Sequence, residues 1–285
     1  MPHTAQERYS SLVDAKLRAD LVTKDNLIFN TKYEGDPTAG KVKVPVRDTE
    51  VEVKSYNKKT GADISEGTTD YWELDIEYDE VVNELIDGYD AASVPDKLKA
   101  ERLDSAGYSM ALSIDTKSIR KLETTKNIVI ATSRSALTEN TAYKAVLAAK
   151  RAMSRKHVPN DGRRWLIASP EFMEVLLQDK HFLQGGNLSQ ELVQNGVVGK
   201  IAGFLVFESN NTMFENTELV EGKTTSTEFI CGHPNWCHRV SEWAVPVSIK
   251  NLTNNYIGAS AVQGRKVYGI GISKPETVYV KRVEV

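Results

Sequence analysis

Ser93–Leu122 reads SVPDKLKAERLDSAGYSMALSIDTKSIRKL, and the spacing of its apolar residues predicts one long amphipathic helix. Leu103, Ala106, Met110 and Ile114 recur at i, i+3 and i+4, which places them in a single stripe. Lys99, Glu101, Asp104 and Lys117 fall on the opposite side. Ser93 stands where an N-cap belongs, with Asp96 three residues on, and Pro95 lies in the first turn, where a missing N–H costs nothing. At 1.5 Å per residue the helix is expected to run roughly 40 Å, longer than the average globular helix. A rod of that length spans a domain, so the other elements are expected to be laid across it.

The chain has 285 residues, enough for one large domain or two smaller ones. Its 36 basic and 39 acidic side chains leave a net charge of −3, which argues against a general nucleic-acid-binding surface. Apolar residues make up 40% and charged residues 26%, a balance that suits a soluble chain with a real core. No apolar run approaches the ~20 residues that span a bilayer, so no membrane partner is expected. The start, MPHTAQERYSSLVDAKL, lacks the apolar region of a signal peptide, so synthesis inside the cell is expected. Two cysteines six positions apart do not make a disulfide framework.

Ahead of the long helix, residues 1–38 hold one weak amphipathic segment, Ala5 to Leu21, and then a polar stretch around Tyr33–Gly40. From residue 41 the period changes to two. KVKVPV puts Val42, Val44 and Val46 on one side, and Val51 and Val53 continue in shifted phase beyond a turn or bulge near Arg47–Glu50. Lys58-Lys59-Thr60-Gly61 reads as a loop tip. YWELDIEY then alternates, with Trp72, Leu74, Ile76 and Tyr78 opposite Glu73, Asp75 and Glu77. The expectation is a two-stranded ribbon, basic on its first strand and acidic on its second. An isolated hairpin is marginal in water, so the ribbon must rest on another surface, either its own domain or another copy. The acidic run from Glu73 to Asp90 is read as strand alternation followed by a solvated helix start, not as a carboxylate site.

Behind the helix, Asn127–Thr132 is a predicted strand and Thr138–Lys156 a second helix. Trp165–Ala168 is another strand. Ser169-Pro170-Glu171 opens a third helix, with Ser at the N-cap and Pro at N1. VVGKIAGFLVF (197–207) reads as a strand pair, Thr227–Gly232 as a strand, and 245–285 as β-rich. Helices and strands alternate irregularly, which favours α+β over a doubly wound sheet.

Most motifs for chemistry are absent. Gly199-Lys200 lacks the Ser/Thr and the upstream Gly of a phosphate-binding loop, and no G-x-S-x-G, H-E-x-x-H or G-x-G-x-x-G occurs. The sharpest chemical candidate is CGHPNWCH, where Cys231, His233, Cys237 and His238 are the right residue types for zinc. Their spacing is not a usual zinc pattern, and adjacent Cys237 and His238 strain a single tetrahedral site. A zinc-stabilised enzyme or binding module centred there is kept as an alternative. The leading expectation is a non-enzyme with no cofactor and no metal.

Three stretches together resemble the major capsid proteins of tailed bacteriophages, the Hong Kong phage type of shell fold. They are Val158–Arg163 leading through Trp165-Leu166-Ile167 to Ser169-Pro170-Glu171-Phe172 and Leu176-Leu177; Gly199–Phe204 with Val206 and Ser209-Asn210; and Tyr268-Gly269-Ile270 with Lys274-Pro275-Glu276-Thr277-Val278. The resemblance implies an N-terminal arm at 1–38, an extended β-ribbon (the E-loop) at 39–80, a peripheral domain with the spine helix at 81–130 and 244–285, and an axial domain at 131–243. It implies a subunit that self-assembles as hexamers and pentamers into an icosahedral head around double-stranded DNA, in a virion assembled in the host bacterial cytoplasm. It further implies a portal and a separate scaffolding protein, since a fused scaffold has no room ahead of the arm. DNA contact is expected to be weak and non-specific. Lys58 and Lys59 at the ribbon tip, with Trp72, Leu74 and Ile76 on its apolar side, are the expected subunit-interface residues. Some relatives cross-link a ribbon Lys to a neighbouring Asn; no partner Asn or catalytic Glu is assignable here. A cellular encapsulin-like shell around a cargo enzyme shares the fold and is the second alternative.

Overall fold

The computed structural model describes residues 16, 18–23, 26–31, 40–46, 50, 51, 53–61, 70–88, 98–124, 128–131, 138, 141–178, 197–212, 225–253 and 257–284. The long helix, α1 (Leu98–Glu123), has 26 residues and is therefore ~39 Å long. Ala106, Met110 and Ile114 are buried as the stripe predicts, and Ile119 and Leu122 extend it. Leu103 is half-buried against the same core as Ala106. The expected start at Ser93 and Pro95 lies outside the described residues.

The strands form three sheets, two of which meet this rod. A two-stranded ribbon pairs β1 (Lys41–Val46) with β2 (Asp70–Asp75). A three-stranded antiparallel sheet has the order β3-β10-β9, from Tyr78–Ile86, Ser260–Ile272 and Cys237–Asn251. A six-stranded mixed sheet has the order β4-β11-β8-β5-β7-β6, from Ile128–Ala131, Tyr279–Glu284, Thr225–Gly232, Arg164–Ala168, Phe204–Glu208 and Val197–Ile201. Helices α2 (Ala142–Arg155) and α3 (Pro170–Gln178) complete the fold.

The strand β5 is buried at every position, and its neighbours divide by parity as a pleated strand requires. Leu166 and Ala168 meet Val146, Met153, Phe172 and Leu176 of α2 and α3. Trp165 and Ile167 face the other way, onto Ile119 and Leu122 of α1. The six-stranded sheet is thus covered on both faces. The Ser169 hydroxyl accepts the Phe172 N–H at 3.2 Å, so the predicted cap of α3 is present. The predicted pair within 197–207 is the β6–β7 hairpin, turned by Ala202 and Gly203 at φ 50° and 92°.

Several elements differ from the expected ones in extent or pairing. The ribbon does not run through Tyr78: β2 ends at Asp75, and after Ile76-Glu77 the chain enters β3, which pairs with β10. A boundary at residue 80 therefore falls inside a strand. Alternation with period two continues unbroken across that change of partner, so the sequence shows a strand without showing whose neighbour it is. The expected solvated helix start after Tyr78 is strand to Ile86. Strand β11, expected with the spine helix, is second in the six-stranded sheet, parallel to β4. Val51 and Val53 lie in no strand, and the second helix starts at Ala142, not Thr138. Residues 18–21, the described end of the segment expected to be amphipathic, are not helical.

Residues 16 and 18–23 instead lie along α1. Lys16 pairs with Glu101 and Arg18 with Asp104, the Tyr108 hydroxyl accepts the Ala19 N–H at 2.7 Å, and Asp115 accepts the Thr23 N–H at 2.8 Å. Glu80 and Glu84 of β3, and Glu77 just before it, also meet the helix. Lys117 pairs with Glu80, Arg102 with Glu84, and Lys121 with Glu77 at 3.6 Å. Burial alone raises the Glu80 carboxyl; Lys117 and the Ser113 hydroxyl outweigh it and hold it below the usual range.

Where α1 meets β8 and β11, Arg282 is fully buried and donates to the Glu123 carbonyl at 3.1 Å and to the Thr225 hydroxyl at 3.4 Å. The Glu123 side chain is buried beside it. Desolvation pushes its carboxyl up to about 8, against the opposing pull of the Thr227 hydroxyl and the Arg282 charge. A carboxyl whose folded pKa lies above its unfolded value stabilises the fold fully below the unfolded value, near 4.5, and that contribution is lost as pH rises through about 8. Unfolding by urea should therefore show stability falling from pH 5 to pH 9. Glu123→Gln, neutral at every pH, should flatten that slope; an unchanged slope would place the titrating group elsewhere.

Candidate subunit interface

The ribbon is built from alternation and opposite charge. Val42 faces Leu74 and Val44 faces Trp72 across the strand pair. On the outer side Lys41 pairs with Glu73 at 3.1 Å and Asp75 at 3.3 Å, and Lys43 with Glu73 at 3.5 Å. Lys41 is the main cause that holds the Glu73 carboxyl below its ordinary value. These pairs set register more than stability, because all are solvent-screened.

The apolar side of the ribbon sits on its own chain. Val42 and Leu74 are buried, Trp72 and Ile76 half-buried. The seat is made by two glycines of β10. A side-chain carbon at Gly271 would lie 2.5 Å from the Trp72 ring and 2.7 Å from Leu74; one at Gly269 would lie 2.4 Å from the Asp75 carbonyl oxygen. Only residues without a Cβ let the ribbon approach this closely. The Trp72 ring also lies 5.4 Å from the His238 ring, in the adjacent strand β9. Trp72, Leu74 and Ile76, expected at a subunit interface, form the foot of the ribbon, with Trp72 and Ile76 half-buried. Their alternation showed an apolar side, and nothing in the local sequence showed that Gly269 and Gly271 would receive it.

The far end is different. The Gly61 N–H donates to the Asn57 carbonyl at 2.8 Å, and the Lys59 N–H to the Asn57 side-chain oxygen at 2.9 Å. Gly61 supplies φ 74°, the left-handed residue that closes this tip. Lys58 and Lys59 are presented, exposed, on the resulting hairpin. Before it, Val51, Val53 and Tyr56 are exposed to 87%, 97% and 74%. Apolar side chains exposed this fully make the segment a candidate contact surface.

The four residues considered for zinc go to four surroundings. Cys231 packs with Phe172 and Leu166 under the helices, whereas Cys237 joins the core beneath α1. Burial pushes both thiols up, so neither is poised as a thiolate ligand. His238 contacts the Ser273 hydroxyl at 3.0 Å, and burial lowers its imidazole to about 4. His233 accepts the Asn235 N–H on Nδ1 at 3.2 Å, which leaves Nε2–H to donate to Asp161 at 3.0 Å. Burial raises the Asp161 carboxyl, but His233 and Arg163 outweigh it and hold it below the carboxylate range. Both ring nitrogens of His233 are therefore used in tying two turns together. The turn signals of VPNDG and CGHPN were legible in the sequence; their union across 72 positions was not. Among the described residues, no three His, Cys, Asp or Glu side chains are grouped to hold a metal ion, and no helix is long and apolar enough to cross a membrane.

No family model and no curated protein matches this sequence. Solved structures do. A chain of Mycobacterium phage Che8 superimposes with a TM-score of 0.72 at 20% identity, covering 97% of this chain and 96% of that one. The capsid structure of cyanophage P-SCSP1u gives 0.74 at 15% identity, over 98% and 92%. The mature capsid of bacteriophage PhiM1 gives 0.69 at 16% identity, over 98% and 92%. The architecture is the α+β tailed-phage capsid fold over nearly the whole chain.

Proposed function

We propose that this chain is the major capsid subunit of a tailed bacteriophage, a structural protein with no enzymatic role. The observation that carries the reading is the joint one. A fold shared end to end with capsid chains also bears a projecting ribbon whose free part is apolar, basic-tipped and uncovered by its own chain. In this reading the ribbon is β1–β2 with its tip. The peripheral part is α1 with β3, β9 and β10, and the axial part is the six-stranded sheet with α2 and α3. The free ribbon segment, with Lys58 and Lys59, is the part that meets neighbouring copies.

The subunits assemble as hexamers and pentamers into an icosahedral head around double-stranded DNA. Assembly takes place in the host cytoplasm, with a separate scaffolding protein and a portal. Near-neutral net charge suits both demands of that task. It lets many copies approach without strong repulsion, and it keeps contact with packaged DNA weak and salt-screened.

The test is assembly. The chain, expressed with the genes that flank it, should yield closed shells or hexamer and pentamer rings by negative-stain microscopy and sedimentation. Deleting Asn57–Gly67 should leave a folded chain with an unchanged melting curve that no longer sediments as particles. A wild-type chain that stays monomeric with every flanking gene present would overturn the capsid reading. Normal assembly of the deletion would remove only the ribbon's part in it.

A further inference from the structure

Gly107, Met110 and Ile114 follow one another at i, i+3 and i+7 on α1, so they share one stripe of the helix. They form one wall of a cavity of about 170 Å³ between α1, the segment that ends at Thr23, and strands β9 and β10. Leu21 adds a further apolar side chain to that wall. A side-chain carbon at Gly107 would meet no atom within 4 Å, so this glycine is not there to admit a close neighbour. It leaves room in the middle of a helix, where glycine is otherwise a poor choice. The cavity opens beside Ser241 and Trp243, which are exposed on β9, the edge strand of its sheet.

Charges between α1 and the three-stranded sheet are matched at Lys117 with Glu80 and at Arg102 with Glu84. Lys266, half-buried in the cavity wall, is not matched. Its ammonium lies 4.8 Å over the Trp243 ring, and no carboxylate among the described residues pairs with it. Burial, and then the neighbouring Arg239 charge, hold that ammonium below its ordinary value. Asp115 also lines the cavity, but its oxygens are committed to Thr23 and Asn211. Arg239 spends its guanidinium on Thr23. Two cations therefore face one anion, and the donors left over belong to Lys266.

We propose that this cavity is a binding site for a small aromatic carboxylate, its anionic end on the Lys266 ammonium and its ring against Leu21, Met110 and Ile114. The size suits one ring, since an engineered apolar cavity of ~150 Å³ takes up benzene. Apolar walls with a few convergent polar groups are the usual make-up of a small-molecule site. A bare inorganic anion would leave the apolar wall unused, and an uncharged ring would leave the ammonium without a counter-charge. A ligand seated there touches α1, the end of the N-terminal segment and the sheet at once. It binds only the folded arrangement and so stabilises it. Such a site lies within one chain and does not depend on the shell reading.

Titration calorimetry of the full chain with benzoate tests it. Saturable one-to-one binding is expected, together with a melting temperature that rises with benzoate concentration. Benzamide has the shape without the charge, and acetate the charge without the ring; each should bind roughly tenfold more weakly or worse. Lys266→Met keeps the apolar stem and removes the charge, so it should keep the wild-type fold and weaken benzoate binding by a similar factor. Gly107→Leu puts a side chain into the cavity; circular dichroism should show the helix intact, and calorimetry no benzoate binding. A wild-type chain that does not bind benzoate overturns the site. So does equal affinity for benzoate and either analogue, or an affinity unchanged in Lys266→Met or in folded Gly107→Leu. Particle assembly of the wild-type chain, followed by sedimentation, reports on the shell reading separately from all of these.

Discussion

Asp115→Ala should lower the stability of the folded chain by about 3–5 kcal/mol, since it leaves several buried donors unsatisfied and a nearby buried cation uncompensated. Asp115 and Thr23 are each 1% exposed and Arg239 7%. One carboxylate oxygen accepts the Thr23 N–H at 2.8 Å and the Thr23 hydroxyl at 2.7 Å, and the other accepts the Asn211 amide at 2.9 Å. The Arg239 guanidinium, 5.2 Å over the Phe29 ring, donates to the Thr23 carbonyl at 2.5 Å and to its hydroxyl at 3.0 Å. Thr23 is thus gripped from both sides by opposite charges, and removing the anion leaves three donors and a buried cation without it. Asp115→Asn keeps an acceptor and should lose less. Asp115→Ala with Arg239→Met should recover part of the loss, because the stranded charge goes with it. Urea midpoints measure all three. A single Asp115→Ala loss below about 1 kcal/mol would mean that the cluster does not hold residues 18–23 to α1.

Ala106→Pro should abolish soluble folded protein. Ala106 is 4% exposed in the first half of α1, packed with Ile86 and Val262. Proline there removes one helical hydrogen bond and drives its ring into the carbonyl four residues earlier, at Arg102, for ~3 kcal/mol or more. The added ring atoms also overpack a closed site, costing typically ~1–3 kcal/mol. Together these approach the whole stability of an ordinary domain. Ala106→Gly separates the causes: it keeps the N–H and leaves the site uncrowded, so it should cost only ~1 kcal/mol and remain soluble. Circular dichroism and sedimentation of the soluble fraction decide. Soluble, native-like Ala106→Pro would show that the rest of the chain does not depend on an unbroken α1.

The ribbon shows where the reading of residues stops. Its strands, its charged side and its lysine tip were visible in KVKVPV, YWELDIEY and Lys58-Lys59, because period-two alternation and turn chemistry act between near neighbours. Of the side chains expected at its interface, the structure places Trp72 and Leu74 against the chain's own sheet and leaves Lys58 and Lys59 exposed. Trp72 and Leu74 are absorbed by Gly269 and Gly271, nearly two hundred positions on, and the exposed half is Val51, Val53 and Tyr56. A glycine in a strand announces a close approach without saying what approaches. The four residues considered for zinc are separated for a related reason. Cys231 and Cys237 lie six positions apart in sequence, but they end in cores on opposite faces of one sheet.

The sequence by itself determined the elements: the end and buried stripe of α1, the Ser169 cap of α3, the β6–β7 hairpin, and the α+β class. Each rests on forces that act over a few residues, namely helical and strand periodicity, capping and turn geometry. Tertiary structure alone decided the partners. It chose β10 for β3, placed β11 parallel to β4, turned Glu80 and Glu84 inward onto Lys117 and Arg102, and joined Arg239 to Thr23 across 216 positions. Those choices depend on which buried charges find counter-charges and which faces find a matching shape, and both are properties of the whole packed chain.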